Sequence, residues 1–378
     1  MKKTTLLLVL ISSNLLAQIN PGAYQVDKYL SIINNKKIAI VANQSSEING
    51  VSLVDSLLNL NQQIFKVFSP EHGFRGKADA GEKVNNQIDI KTGLEIISLY
   101  GKNKKPNKEQ LQGLEYIIFD LQDVGVRFYT YISTLHYVME ACAENNISLI
   151  VLDRPNPNIS YIDGPVLDME YTSFVGMHPV PIVYGMTIGE YAKMINGEKW
   201  LKNGVQCKLE IIEIENYTRI SEYILPVKPS PNLPNPQSIA LYPSLCLFEG
   251  STVSVGRGTD MQFQIYGSPE FKYKYDFSFI PKPNEGAKNP KHIDRICYGK
   301  DLREYEFTEK IELEWLIDSY NKSSNKEGFF NKFFTKLAGT EDLETDIKKG
   351  LSHKEIKKSW EKDLTIFKNI RSNYLIYK

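Results

Sequence analysis

The chain has 378 residues, 42% of them apolar and 24% charged, enough for one large buried core or two medium ones. Lys+Arg 45 balance Asp+Glu 45, and a net charge of zero removes the electrostatic footprint of a nucleic-acid binder. With 22 tyrosines and 17 phenylalanines, a neutral chain suits a polar ligand that stacks on aromatic faces, such as a sugar.

The chain begins Met1-Lys2-Lys3, continues through an apolar stretch from Leu6 to Leu16, and reaches Ala17-Gln18. Charged, greasy and small-residue zones in that order predict a secretory signal over 1–17, cleaved after Ala17, and a periplasmic or secreted mature protein. The apolar run is shorter than the roughly 20 residues that span a bilayer, so no stable membrane insertion is expected after signal removal. Export permits disulfides. Cys142, Cys207, Cys246 and Cys297 are nevertheless irregularly spaced and form no Cys-x-x-Cys pair, so buried free thiols are expected.

From about Lys36, short β-rich apolar runs alternate with amphipathic stretches. Segments 37–42, 64–68, 95–99, 116–119 and 149–152 read as strands, and 134–145, with Leu135, Val138, Met139 and Cys142 at helical spacing, reads as a helix. Continuous apolar strands alternating with helices imply a parallel sheet covered on both faces. The expected fold is α/β, with a Rossmann-like, mostly parallel sheet domain over 18–235 and a smaller α/β domain over 236–378. The boundary is placed in the segment 227–236, where Pro229, Pro231, Pro234 and Pro236 prevent helix or central strand. That segment reads equally as a linker or as a rigid loop feeding a cleft. Beyond it, Leu247 to Gly258 looks β-like, and the tail from Phe329 to Tyr377 is helical, with Trp360, Leu364, Phe367 and Ile370 on a core-facing side.

Ligands of such sheets bind outside the carboxyl ends of the strands. Polar clusters fall there: Asn43-Gln44-Ser45-Ser46, Glu71 to Gly76, Asp120 to Arg127, and Asp153 to Pro157. Singly, each could be turn and cap chemistry, but four on one edge favour a site. No Gly-x-Gly-x-x-Gly follows the first strand and no Gly-x-Ser-x-Gly elbow exists, so neither a dinucleotide cofactor nor a serine nucleophile is expected.

Glycosidic cleavage needs an acid to protonate the leaving oxygen and a second group to stabilise or attack the anomeric carbon. Glu71 is the candidate acid, at the end of a buried strand beside Pro70 and Phe74, with His72 and Arg75 able to orient it; a structural Glu71–Arg75 ion pair is the competing reading. Asp123 is the candidate second catalytic group, although Asp120, Asp153 and Glu249 are also acids near the expected cleft, and an acetamido group on the substrate could serve instead. Arg127 and Arg257 are candidates for gripping a substrate carboxylate bidentately. Tyr129 and Tyr131, on one face if extended, are expected to flank the sugar. His72 joins Glu71 and Asp123 in the candidate catalytic set, and Asn43, Arg75, Asp153, Arg154 and Glu249 complete the candidate binding set. Glu71, His72, Asp120 and Asp123 could also converge on a metal, as in a metal-dependent esterase or deacetylase. The five histidines form no His-x-His or His-Glu-x-x-His pair, so no metal is assigned.

Several long blocks occur in one order: Ser-Pro-Glu-His-Gly-Phe-Arg-Gly (69–76), Phe-Asp-Leu-Gln-Asp-Val-Gly-Val-Arg-Phe-Tyr-Thr-Tyr (119–131), Leu-Asp-Arg-Pro-Asn-Pro (152–157), Asp-Gly-Pro-Val-Leu-Asp (163–168), Pro-Ser-Pro-Asn-Leu-Pro (229–234), Glu-Gly-Ser-Thr-Val-Ser-Val-Gly-Arg-Gly-Thr (249–259) and Leu-Ala-Gly-Thr (337–340). On these blocks nearly the whole mature chain resembles the NamZ-type exo-β-N-acetylmuramidases. Asn43-Gln44-Ser45-Ser46 departs from the family pattern by lacking a glycine. The resemblance implies release of β-linked N-acetylmuramic acid from the non-reducing end of peptidoglycan fragments, in a cleft between a Rossmann-like and a smaller domain. It also implies a catalytic role for Glu71 and a muramyl saccharide as partner, whose lactyl carboxylate would engage Arg127 or Arg257. A catalytically silent sugar-binding protein is the alternative from a different functional class.

Overall fold

A computed structural model describes residues 18–71, 73–74 and 86–378. The expected signal at 1–17, His72 and Arg75 lie outside the described residues. In chain order the elements are α1 (Val26–Ile33), β1 (Ile38–Ala42), β2 (Glu47–Ile48), β3 (Val51–Ser52), α2 (Leu53–Asn59), β4 (Ile64–Ser69), β5 (Gln87–Ile88), β6 (Glu95–Ser98), β7 (Tyr116–Asp120), α3 (Tyr131–Asn145), β8 (Ser148–Leu152), α4 (Ile188–Gly197) and β9 (Lys208–Ile212). There follow α5 (Pro236–Leu245), β10 (Ile265–Ser268), β11 (Phe277–Phe279), β12 (Cys297–Asp301), α6 (Glu314–Lys322), α7 (Phe333–Ala338), α8 (Asp342–Lys348) and α9 (His353–Ser372).

The first half forms a seven-stranded sheet in the order β5-β6-β4-β1-β7-β8-β9. Every pairing in it is parallel except β5 with β6. Parallel strands inside such a sheet bury both faces, and β1 does so with all five residues, Ile38-Ala39-Ile40-Val41-Ala42, out of solvent. Its alternation divides the core. Ile38, Ile40 and Ala42 pack with Tyr29, Leu53 and Leu57 on one face, while Ala39 and Val41 join Leu135, Val138 and Met139 of α3 on the other. From β1 the chain moves outward through β4 to β6, then crosses back to β7 and proceeds to β9. The loops after β1, β4, β6 and β7 therefore converge on one crevice at the carboxyl edge.

The second half carries an antiparallel three-stranded sheet, β10-β12-β11, with α5 to α9 around it. α5 starts where Asn235 caps and Pro236 occupies the first helical position, so the last proline of the segment read as excluding helix instead opens one, its missing N–H being one that the first turn leaves unbonded anyway. Leu245, Phe248, Phe263, Trp315, Phe334 and Trp360 belong to the same buried cluster as Val41 and Leu135, so one core runs through both halves.

Three local expectations differ. The helix predicted from 134 begins at Tyr131, with Thr130 as its N-cap residue. The β-like stretch 247–258 is a short 3-10 helix, Cys246–Gly250, followed by a loop joined to the fold by single bridges Ser251–Phe330 and Ser254–Gly267. The left-handed φ of Gly256 and Gly258, +77° and +79°, breaks any regular strand there. β9 escapes detection because it is an edge strand whose Lys208 and Glu210 point to solvent. All four cysteines are buried and free, and no helix among the described residues is long and apolar enough to cross a membrane.

Candidate active site

A cavity of about 300 Å³ opens at the carboxyl edge of the large sheet, where the second half of the chain closes over it. Glu71, Tyr129 and Tyr131 line it from the first half, and Glu249 and Arg257 from the second. Five sequence-predicted residues from three segments are thus gathered at one place. A larger groove of about 1010 Å³, bordered by segments 156–162 and 219–225, shares no lining residue with it.

Glu71 follows β4 directly and is partly buried. Thr130 donates its hydroxyl to Glu71 Oε2 (3.2 Å), and the Tyr100 hydroxyl is also hydrogen-bonded to the carboxyl group. Tyr100 comes from the loop after β6; burial and the neighbouring Glu71 both hold its phenol above the ordinary range, keeping it a neutral donor. Sequence reading missed Tyr100, although it stands just beyond a recognised strand on the same edge. It also missed Thr130, which lies inside the quoted block 119–131.

Tyr129 and Tyr131 both reach the cavity, but not by extension. Tyr131 is the first residue of α3, and the two rings meet edge to face with centroids 4.8 Å apart. Asn43 is buried behind them and does not line the cavity; its Nδ2 donates to the Tyr131 hydroxyl (2.6 Å), while its Oδ1 accepts from Ser45 N (2.9 Å) and Ser45 Oγ (2.6 Å). Tyr129 donates to the Pro229 carbonyl (2.8 Å), and Gln44 Nε2 to the same carbonyl (3.1 Å). The proline-rich segment is therefore docked on the first half and supplies Ser230, Asn232 and Leu233 to the cavity wall. Also on the cavity wall, Arg257 Nε lies 3.4 Å from Glu249 Oε1, both side chains about a quarter exposed. The Arg257 guanidinium also sits over the Phe263 ring at 5.7 Å.

Four other predicted residues stand elsewhere. Arg127 cannot grip a substrate: it is fully buried and donates to the carbonyls of Pro165 (2.8 Å), Val180 (2.7 Å), Leu337 (3.1 Å) and Ala338 (2.6 Å). It joins loops of the first half to the end of α7, and burial lowers its pKa to about 9. Arg154 is buried in a bidentate pair with Asp120, at 2.6 and 2.9 Å, so neither faces the cavity. Asp153 is fully buried and accepts from Tyr377 Oη (2.6 Å), Thr187 Oγ1 (2.7 Å), Gly189 N (2.8 Å) and Arg154 N (3.0 Å), fastening the carboxyl terminus to β8. Asp123 lies beneath the tyrosines, accepting from Gly125 N (2.7 Å) and the Tyr184 hydroxyl. Burial pushes its carboxyl up to about 6, but it does not line the cavity and is not placed to reach a substrate. These acids and cations read as site residues because strand-end position does not reveal burial.

Among the described residues, Glu249 is the other carboxylate beside Glu71 on the cavity wall, and no group of three or more His, Cys, Asp or Glu is placed to hold a metal. A doubly covered parallel sheet with an acid at its carboxyl edge, and an arginine–acid pair on the same aromatic-lined cavity, defines an α/β protein with a second, smaller domain. The chain belongs to the exo-β-N-acetylmuramidase NamZ family: the N-terminal family model matches residues 38–237 and the C-terminal model 240–377. It is 38% identical to the peptidoglycan β-N-acetylmuramidase NamZ of Bacillus subtilis (strain 168), covering 92% of this chain and 89% of that protein. Two crystal structures of DUF1343 family proteins from Bacteroides fragilis NCTC 9343 share the fold. One has a TM-score of 0.89 at 44% identity and covers 96% of this chain and 99% of its own. The other has a TM-score of 0.81 at 26% identity and covers 95% and 99%.

Proposed function

We infer that the protein is an exo-acting glycoside hydrolase that releases β-linked N-acetylmuramic acid from the non-reducing end of peptidoglycan fragments. Family membership over both halves of the chain supports the reaction, and the site supports the assignment of parts. A cavity of about 300 Å³ is at the small end of ligand pockets and has room for one terminal sugar, as exo action requires. Glu71, held by Thr130 and Tyr100, donates its proton to the glycosidic oxygen as the bond to the anomeric carbon breaks. Glu249 is the candidate second carboxylate on the wall, with the substrate acetamido group as the alternative nucleophile. Arg257 grips the lactyl carboxylate, and the Tyr129 and Tyr131 rings flank the sugar. The basic, apolar and small-residue order of 1–17 supports export and action in the periplasm or outside the cell.

The observation that carries this reading is Glu71 and Arg257 lining one cavity together. Turnover of a chromogenic β-N-acetylmuraminide, with the N-acetylglucosamine analogue as control, tests it. Glu71→Gln is expected to lower kcat by about 10²–10⁴-fold, the usual contribution of a positioned general acid. Retention of wild-type kcat would remove Glu71 from the reaction.

A further inference from the structure

The residues lining the cavity differ in depth. Tyr129, Thr130, Tyr131 and Tyr242 are buried, whereas Tyr100, Phe174 and Val175 of the first half are partly exposed, and Phe333 of α7 is 39% exposed. The buried set forms the floor and the exposed set the mouth. A volume of about 300 Å³ holds one sugar, so the rest of a longer glycan lies at the mouth.

Phe174 is joined to the candidate acid. Its ring meets that of Tyr100 edge on, with centroids 6.3 Å apart, and the Tyr100 hydroxyl is hydrogen-bonded to the Glu71 carboxyl group. A general acid protonates the oxygen that links two sugars, so it stands at the border between them. An apolar ring beside that border, on the open side, lies where the leaving sugar must pass. The turn that carries Phe174 is also held in place. Ser173 and Gly176 exchange both backbone hydrogen bonds (2.8 and 3.0 Å), and Ser133 of α3 donates its hydroxyl to the Phe174 carbonyl (2.7 Å). Lys104 Nζ lies 4.5 Å from the ring centroid, and the Tyr137 ring runs nearly parallel, 16° and 6.3 Å away. Neither Lys104 nor Tyr137 lines the cavity, whereas Phe174 does, so both brace the ring and leave it a surface towards the opening. A ring ordered before the ligand arrives offers apolar contact to the C–H face of a sugar at little further entropic cost.

We propose that Phe174 is the platform of a second sugar subsite, on which the sugar bearing the leaving oxygen, N-acetylglucosamine in peptidoglycan, packs its C–H face. This rests on the muramidase reading. It deepens that reading by assigning the leaving-side half of the substrate to a residue outside every motif block of the sequence.

The full mature chain is first given the disaccharide of β-N-acetylmuramic acid linked to N-acetylglucosamine; absence of cleavage would refute the muramidase reading itself. With Glu71→Gln to prevent turnover, calorimetry then compares this disaccharide with methyl β-N-acetylmuraminide, which has no leaving-side sugar. The disaccharide is expected to bind at least tenfold more tightly, and adding Phe174→Ala is expected to cut that ratio at least fivefold. Phe174→Tyr, which keeps the ring, is expected to retain most of it. Equal losses of affinity for both ligands, no disaccharide advantage in Glu71→Gln, or a loss in Phe174→Tyr as large as in Phe174→Ala would overturn the proposal, because a purely structural phenylalanine disturbs both ligands alike. If Phe174→Ala does not fold, Phe174→Leu takes its place with the same expectation; failure of both to fold would assign Phe174 to the fold alone and likewise overturn the proposal.

Discussion

Asp123 shows how far a residue type and its role can diverge. It sits in a conspicuous motif at a strand end, yet both sides of its environment are protein, and burial raises its carboxyl from 3.8 to about 6. A carboxyl whose folded pKa is raised contributes stability fully below its unfolded pKa and loses it as pH rises through the folded value. The window is therefore about pH 4 to 6, and the two-unit shift corresponds to about 3 kcal/mol. Asp123→Asn removes this titration. Urea midpoints at pH 4.5 and pH 8 are expected to show wild type losing stability relative to the variant as pH rises; parallel profiles would contradict the assignment.

At the scale of elements, α7 is held to the first half by Arg127. The helix ends in Leu337-Ala338-Gly339, where Gly339 takes a left-handed φ of +76° and a Cβ would lie 2.5 Å from Arg127 Nη2. The block Leu-Ala-Gly-Thr is thus a helix end shaped around a guanidinium, and Arg127 supplies the donors that its last carbonyls lack. Arg127→Met is expected to destabilise the protein by about 3 kcal/mol or more, since the carbonyls of Pro165, Leu337 and Ala338 lose their donor at about 1–3 kcal/mol each while that of Val180 keeps the Leu167 N–H. Relief from burying a charge offsets part of this. Chemical denaturation followed by circular dichroism measures the loss; a change below 1 kcal/mol would mean that water replaces the arginine.

Across the whole molecule, one buried core shared by both halves predicts that they unfold as one cooperative unit. Trp200 reports on the first half, and Trp315 and Trp360 on the second. Unfolding of Trp200→Phe and of the Trp315→Phe/Trp360→Phe double variant is expected to show coincident fluorescence and circular dichroism transitions within each protein. A first transition seen by the second-half tryptophans alone would show that the halves unfold separately.

Much of this was legible in the sequence because the signal is local. The run Ile38 to Ala42 announces a buried parallel strand, and Leu135, Val138, Met139 and Cys142 a helix. Glu71 at a strand end pointed to the carboxyl edge of the sheet, where the cavity opens, and the order of the motif blocks pointed to the family. The sequence alone could not show which strand-end polar residue faces the cavity and which is sealed behind it. Arg127 and Arg257 are the same side chain, yet one is enclosed by four carbonyls and the other stands on the cavity wall. That difference depends on segments distant in the chain, α7 closing over Arg127 and the 246–258 loop bringing Arg257 to the same cavity as Glu71. Only the tertiary structure decides it, because burial and partner choice are set by long-range packing, whereas strand and helix patterns are set by neighbours along the chain.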